Sequence, residues 1–195
     1  IEYGLSFEFY PQQFTQVNAL LNQDLVRSAL ALMGDLRNKV VVDLFCGIGN
    51  FSLPMARSGG TVIGLEMEES SVEMARSNAR LNGLEDFARF EVADLYDQGG
   101  QHASGHAQLA EVMRENPTSI LLDPPRSGAG PHLASIGKKE SVERIVYVSC
   151  NPETFASDGA ILIESGFRLE RVGVFDMFPN TSHLETLGLF VKECL

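Results

Sequence analysis

The run Val40-Val-Val-Asp-Leu-Phe-Cys-Gly-Ile-Gly-Asn50 passes from continuous apolar residues into a turn carrying two glycines. An unbroken apolar run of this length, rather than an alternating one, is what a central parallel strand buried on both faces requires. It is expected to span Val40–Phe45, with Gly47 and Gly49 letting the backbone turn sharply at its carboxyl end. On either side the pattern repeats, strand then helix. Thr61–Glu66, Arg89–Ala93, Ser119–Asp123 and Arg144–Ser149 read as further short strands. Helical spacing covers Val17–Met33, Ser70–Asn82 and Pro152–Glu164, and a shorter helix is expected to end near Glu115. Ser70 and Glu73 are spaced as a capping box, and Gly83 and Gly166 suit positions just past helix ends. The polar stretch Gln98–His106 reads as a loop. Arg168–Asp176 and Leu184–Lys192 alternate as two strands, and so short a connection between them demands antiparallel pairing. The expected fold is α/β, a mostly parallel doubly wound sheet ending in a C-terminal antiparallel hairpin, with residues 1–195 forming one domain.

Composition narrows the function classes. The chain has 195 residues, 44% hydrophobic and 21% charged, ordinary for a globular protein. No apolar run is long enough to span a bilayer and the N-terminus lacks the pattern of a signal peptide, so a cytoplasmic protein is expected. Cys46, Cys150 and Cys194 cannot all pair and lack zinc-like spacing, which favours reduced thiols and no metal. The net charge of −11 is opposite to that of a free-standing nucleic-acid binder.

In a doubly wound sheet, ligands lie beyond the carboxyl ends of the strands. The glycine turn after Asp43 falls there, as do Glu66, suited to ribose hydroxyls, and Asp94, suited to an adenine amino group. The dinucleotide fingerprint G-x-G-x-x-G is not met, because Ser52 stands at its third glycine; this counts against a nicotinamide or flavin enzyme. Three further segments end strands: Asp123-Pro-Pro-Arg126, Val148-Ser-Cys-Asn-Pro152 and His183-Leu-Glu185. Cys150 stands between a strand and a helix N-terminus, a position expected to lower its pKa and raise its thiolate content. Cys46 reads as a packed turn residue and Cys194 as part of a frayed terminus. Asp123, ionised, is an acceptor fitted to an imino N–H. His183 and Glu185 share a strand face, and either can serve as a base. An aspartate before two prolines also suits methylation of an amine on a base, although Arg126 stands where an aromatic residue is then usual. That reading remains as the alternative, with Cys150 structural.

Together Phe14-Thr-Gln-Val-Asn18, Asp43–Asn50, Asp123–Arg126, Val148–Pro152 and Phe178–Glu185, in this order, resemble the catalytic domain of the RNA uracil-C5 methyltransferases, which make 5-methyluridine in ribosomal and transfer RNA. The run Asp43–Pro54 is most similar to the branch acting on 23S ribosomal RNA. The resemblance implies a Rossmann-like class I methyltransferase fold, S-adenosyl-L-methionine as cofactor and an RNA substrate, ribosomal before transfer RNA. It implies that Gln16, Phe45, Asn50, Glu66 and Asp123 line the cofactor and uracil sites, that Cys150 is the nucleophile and that Glu185 is the base. Relatives of this kind carry an N-terminal RNA-binding barrel and in several cases an iron–sulfur cysteine cluster. The chain begins at Ile1 without either, so a fragment of a longer protein is expected, with the basic surface elsewhere.

Overall fold

A computed structural model describes residues 3–11, 13, 18–97, 104–177 and 184–193. Seven strands among these residues form one sheet: β1 (Val40–Leu44), β2 (Thr61–Glu66), β3 (Ala88–Val92), β4 (Ser119–Leu122), β5 (Arg144–Ser149), β6 (Phe167–Phe175) and β7 (Glu185–Lys192). Their order is β3-β2-β1-β4-β5-β7-β6. β1 to β5 run parallel, while β7 lies antiparallel between β5 and β6. The chain leaves β1 toward β3 and returns to place β4 on the other side, so a switch point opens between the ends of β1 and β4.

Helices α1 (Ala19–Met33), α2 (Ser52–Arg57) and α3 (Glu69–Leu81) cover one face, and α4 (Ser104–Arg114), α5 (Leu133–Gly137) and α6 (Pro152–Glu164) cover the other. Alternation along the strands decides which residue faces which layer. Val41, Val62 and Val146 pack with α1 to α3, whereas Val42, Ile63 and Ile145 pack with α4 to α6. Both faces are therefore apolar, which is why β1 and β4 read as continuous runs.

β2, β5 and α6 match their sequence bounds. Several other boundaries move, each for a local reason. Phe45 does not extend β1: it adopts a left-handed conformation (φ 66°) and begins the turn. The capping box at Ser70 does not form, because the helix starts earlier, with Glu68 at its N-cap and Ser70 inside the first turn. Gly83 does follow the C-cap residue Asn82, with φ 65°. α4 starts at Ser104, inside the stretch read as loop, while residues 98–103 lie outside the described part. α2 and α5 escaped sequence reading because six and five residues carry too little periodicity; Pro54 in α2 is tolerated in the first turn, where its missing N–H is no loss.

Candidate active site

The switch point holds a cleft of about 1270 Å³, bordered by the glycine turn after β1, the end of β2, the segment after β4, the β5–α6 turn, the start of β7 and the N-terminal segment. This exceeds the usual range of about 300–1,000 Å³ for a small-molecule site and leaves room for two ligands side by side.

One wall is built from the first two strands. Phe45 N and Cys46 N both donate to Leu65 O, at 2.9 and 3.1 Å, which holds Phe45 in its left-handed turn. A non-glycine residue there stores strain of about 1–2 kcal/mol, which persists only because neighbours over-determine it. Gly47 (φ 53°) donates its N–H to Glu66 Oε2 at 3.1 Å, and Glu68 N donates to Glu66 Oε1 at 3.0 Å. Each carboxylate oxygen keeps a second lone pair for a ligand hydroxyl. Met67, beside Glu66 on the cleft wall, is 59% exposed, an apolar surface fit to cover an aromatic ring. Asn50 is gripped by a reciprocal amide pair with Asn22 of α1 (2.9 and 3.1 Å). Neither Met67 nor Asn22 was legible as a site residue beforehand.

Ser52, the residue that breaks the dinucleotide fingerprint, has its own use. Its hydroxyl donates to Asp43 Oδ2 at 2.5 Å, beneath the turn. Asp43 is fully buried, and burial pushes its pKa up to about 7, with the charge of Glu66 adding to the rise. Its Oδ1 has no hydrogen-bond partner within the protein. A paired acid with free lone pairs and an exposed apolar side chain on one wall together fit a nucleoside cofactor with ribose hydroxyls and an aromatic base, while Asp43 lies outside the described lining.

The opposite wall carries the reactive groups. Asn151 caps α6 by accepting from Glu153 N at 3.0 Å, and Pro152 takes the first helical position, so the Ser-Cys-Asn-Pro turn is locally determined. Asn151 Nδ2 also donates to Arg126 O at 3.1 Å, tying the Asp-Pro-Pro-Arg segment to the cysteine turn. The β5–β7 register sets Ser149 opposite Thr186, which brings Cys150 beside Glu185. Asp123, Arg126, Cys150 and Glu185 all line the cleft, from segments at the adjacent ends of β4, β5 and β7.

Charge within this wall reverses one sequence expectation. The Cys150 thiol is pushed up, not down: burial leads, then the charge of Glu185, with Asp123 adding a little and Arg126 opposing. Proximity to a helix N-terminus does not outweigh burial and, after it, the neighbouring acids. Burial also raises Glu185, against the pull of Arg126. Asp123 is held well above the usual carboxylate range by burial and by the charges of Glu185 and Asp43. Cys46 is buried and raised likewise, as befits a packing residue.

Not every expected residue borders the cleft. Asp94 is absent from the described lining, and its Oδ1 accepts from Tyr96 N at 2.9 Å, closing a local turn; Tyr96 itself lines the cleft. Gly49 is also outside the lining. Its φ of 94° and the 3.2 Å approach of Leu53 to a would-be Cβ show a packing and turn role. Gln16, His183 and Cys194 lie outside the described residues.

A seven-stranded sheet with one inserted antiparallel strand and a cleft at the β1/β4 switch point defines a class I methyltransferase fold. Magnesium protoporphyrin IX methyltransferase from Synechocystis, solved with bound S-adenosylmethionine, shares this fold (TM-score 0.64, 20% identity, 92% of this chain and 86% of that one). The family model described as tRNA (Uracil-5-)-methyltransferase matches residues 2–193, and the chain belongs to that family. The 23S rRNA (uracil(1939)-C(5))-methyltransferase of Dechloromonas aromatica is 45% identical over 97% of this chain and 42% of its own length. That of Aeromonas salmonicida is 46% identical over 96% and 40%. The tRNA (uracil-54, C5)-methyltransferase of Pyrococcus abyssi, solved with S-adenosyl-L-homocysteine, superposes with a TM-score of 0.78 at 32% identity over 96% of this chain and 42% of that one. The chain thus spans about two fifths of the length of these relatives.

Proposed function

We propose that this chain is the catalytic part of an enzyme that methylates C5 of a uridine in RNA, 23S ribosomal RNA first among candidates, with S-adenosyl-L-methionine as donor. The observation that carries the proposal is the convergence of Asp123, Arg126, Cys150 and Glu185 on one wall of a cleft whose other wall suits a nucleoside cofactor. The kinship with enzymes named for uracil C5 supports it. When bound, the cofactor supplies an electrophilic methyl group on a sulfonium. Glu66 would hold its ribose hydroxyls, Met67 would cover its base, and the Gly47 turn would admit its amino-acid end.

C5 of uracil is too weak a carbon nucleophile to take that methyl unaided. Addition of Cys150 Sγ to C6, with loss of the thiol proton to solvent, breaks the C5–C6 π bond and places its electron pair on C5 and O4 as an enolate. C5 then forms its bond to the methyl group as the sulfur–methyl bond breaks, its electron pair returning to sulfur, so that the spent donor would leave as S-adenosyl-L-homocysteine. Glu185 removes the C5 proton, the double bond re-forms, and the Sγ–C6 bond breaks to release thiolate. The raised pKa of Glu185 suits it to accept a proton from carbon. Asp123 offers a carboxyl oxygen to accept the imino N–H, and burial with the charges of Glu185 and Asp43 holds this carboxyl well above the usual range. Arg126, beside the thiol, offsets the neighbouring acids. We assign the RNA grip to another part of a longer protein, since the net charge here is −11. Ribosomal RNA as substrate supports a cytoplasmic setting; among the described residues no helix is long and apolar enough to cross a membrane.

The test uses the full-length protein with ribosomal RNA and methyl-labelled cofactor. Glu185→Gln should accumulate a methylated RNA–protein adduct that survives denaturation, because the final proton stays on C5. Turnover by this variant at the wild-type rate would assign the base elsewhere, and absence of methyl transfer to RNA by the wild type would overturn the proposal.

A further inference from the structure

The N-terminal segment, residues 3–9, forms a wall of the cleft without belonging to the sheet. Tyr3, Leu5, Phe7 and Phe9 all line the cleft, while Gly4, Ser6 and Glu8 between them are exposed. From Leu5 to Phe9 this is the two-residue period of an extended strand, with one edge free to be hydrogen-bonded, while Gly4 (φ 60°) turns the chain ahead of it. Its partner is not a strand but the side of helix α3. Asn82 Oδ1 accepts from Ser6 N at 2.9 Å and its Nδ2 donates to Ser6 O at 2.7 Å. Asn78 Oδ1 accepts from Glu8 N at 2.7 Å and its Nδ2 donates to Glu8 O at 3.0 Å. Each side-chain amide thus takes both polar groups of one strand residue, as a paired strand would. The spacings agree: two strand residues advance about 6.6 Å and four helical residues about 6 Å. A third tie, Gln13 Nε2 to Ser70 O at 3.0 Å, holds the following residues to the first turn of α3.

Asn78 reaches further. It is fully buried, and its second amide hydrogen points to Ile48 O at 3.3 Å, in the turn between Gly47 and Gly49. One side chain therefore joins the N-terminal wall to the glycine turn on the cofactor side, with both its N–H groups used. Among the described residues the Asn82 side chain reaches only the strap and its own helix: its second amide hydrogen goes to Asn78 O at 2.7 Å. An asparagine inside a helix is otherwise a poor choice, since it competes for backbone hydrogen bonds. Asn78 inside α3 and Asn82 at its C-cap, one turn apart and both spent on the same remote segment, are a built clamp.

We infer that Asn78 and Asn82 are positioning residues of the cofactor cleft: they seat residues 3–9 as its N-terminal wall, Asn78 also fixing the glycine turn, so that seating of this strap and occupancy of the cleft are thermodynamically linked. The inference rests on the cofactor lying in this cleft. Linkage is reciprocal, so a ligand that needs the wall must in turn hold the wall in place.

The test combines calorimetric titration with S-adenosyl-L-homocysteine and residue-resolved amide hydrogen exchange. In the wild type, ligand should slow exchange at the Ser6 and Glu8 amides. Asn82→Ala, on the exposed end of the clamp, should speed Ser6 exchange and weaken ligand binding by about tenfold, the equivalent of one or two ordinary hydrogen bonds. Asn82→Asp, which keeps the acceptor but loses the donor, should fall between. Asn78→Ala should weaken binding further, because it frees the glycine turn too. A freed Ser6 amide in Asn82→Ala with wild-type affinity would overturn the linkage, leaving only a structural tie. Unchanged Ser6 exchange in that variant would overturn the clamp itself. Failure of the wild type to bind S-adenosyl-L-homocysteine would instead defeat the placement of the cofactor, a distinguishable result that removes the inference with it.

Discussion

Replacing Asp43 by asparagine should make the protein more stable at pH 8, and more stable by a much smaller margin at pH 5. The carboxyl is fully buried, and burial lifts its pKa from an ordinary value of 3.8 to about 7. In the unfolded chain it ionises near 3.8, so a raised folded-state value means that the folded state holds a proton the unfolded state releases. Stability from this group is therefore complete below about pH 4 and declines as pH rises, reaching its floor once pH has passed through about 7. At about 1.4 kcal/mol per pH unit, the gap amounts to about 4 kcal/mol, of which about 3 kcal/mol falls between pH 5 and pH 8. The substituted amide would keep an acceptor for the Ser52 hydroxyl and carry no charge at any pH. Asp123 and Glu185 are raised as well and add their own decline in both proteins, so the quantity to read is the difference between wild type and D43N. Urea unfolding at several pH values supplies it. A difference in favour of D43N that grows from about 1 kcal/mol at pH 5 to about 4 kcal/mol at pH 8 is expected, and one that stays constant from pH 5 to pH 8 would refute the reasoning.

Alkylation of Cys150 by iodoacetamide, followed by peptide mapping, should rise with pH through a midpoint above the ordinary thiol value of 9.0. Glu185→Gln removes a charge that disfavours thiolate and should move that midpoint down; Arg126→Ala removes the opposing charge and should move it up. Equal midpoints in all three proteins would contradict the electrostatic reading of the wall. Gly64→Ala should destabilise by about 1–3 kcal/mol through overpacking. Its Cβ would stand 2.5 Å from Phe90 Cδ1 and 2.8 Å from Cys46 Sγ in the middle of β2, and a thermal midpoint equal to wild type would show that the site can relax.

What the sequence revealed follows from the range of the forces involved. β2, β5 and α6 were readable to the residue because apolar runs there stop at marked turns, and because Asn151-Pro152 is a local helix start. The turn at Phe45 was not, since nothing in phenylalanine announces a left-handed backbone; two hydrogen bonds to Leu65 O impose it. The capping box at Ser70 failed because Glu66 had already organised the preceding residues by accepting from Glu68 N. The reactive residues were legible as motifs at strand ends, but their electrostatics were not. The helix N-terminus beside Cys150 is visible in sequence, whereas Glu185 reaches it only through the β5–β7 register. Asn22 and Asn78 stayed hidden for the same reason, their partners lying far along the chain.

The most direct test of covalent catalysis is mass analysis of the full-length protein after incubation with S-adenosyl-L-methionine and ribosomal RNA containing 5-fluorouridine. Fluorine at C5 cannot leave as a proton does, so the thioether between Cys150 and C6 should persist once methyl transfer has occurred. An RNA adduct mapping to Cys150, and missing from Cys150→Ala, is the predicted result. A protein that binds cofactor and RNA yet forms no adduct, or forms the same adduct without Cys150, would contradict it.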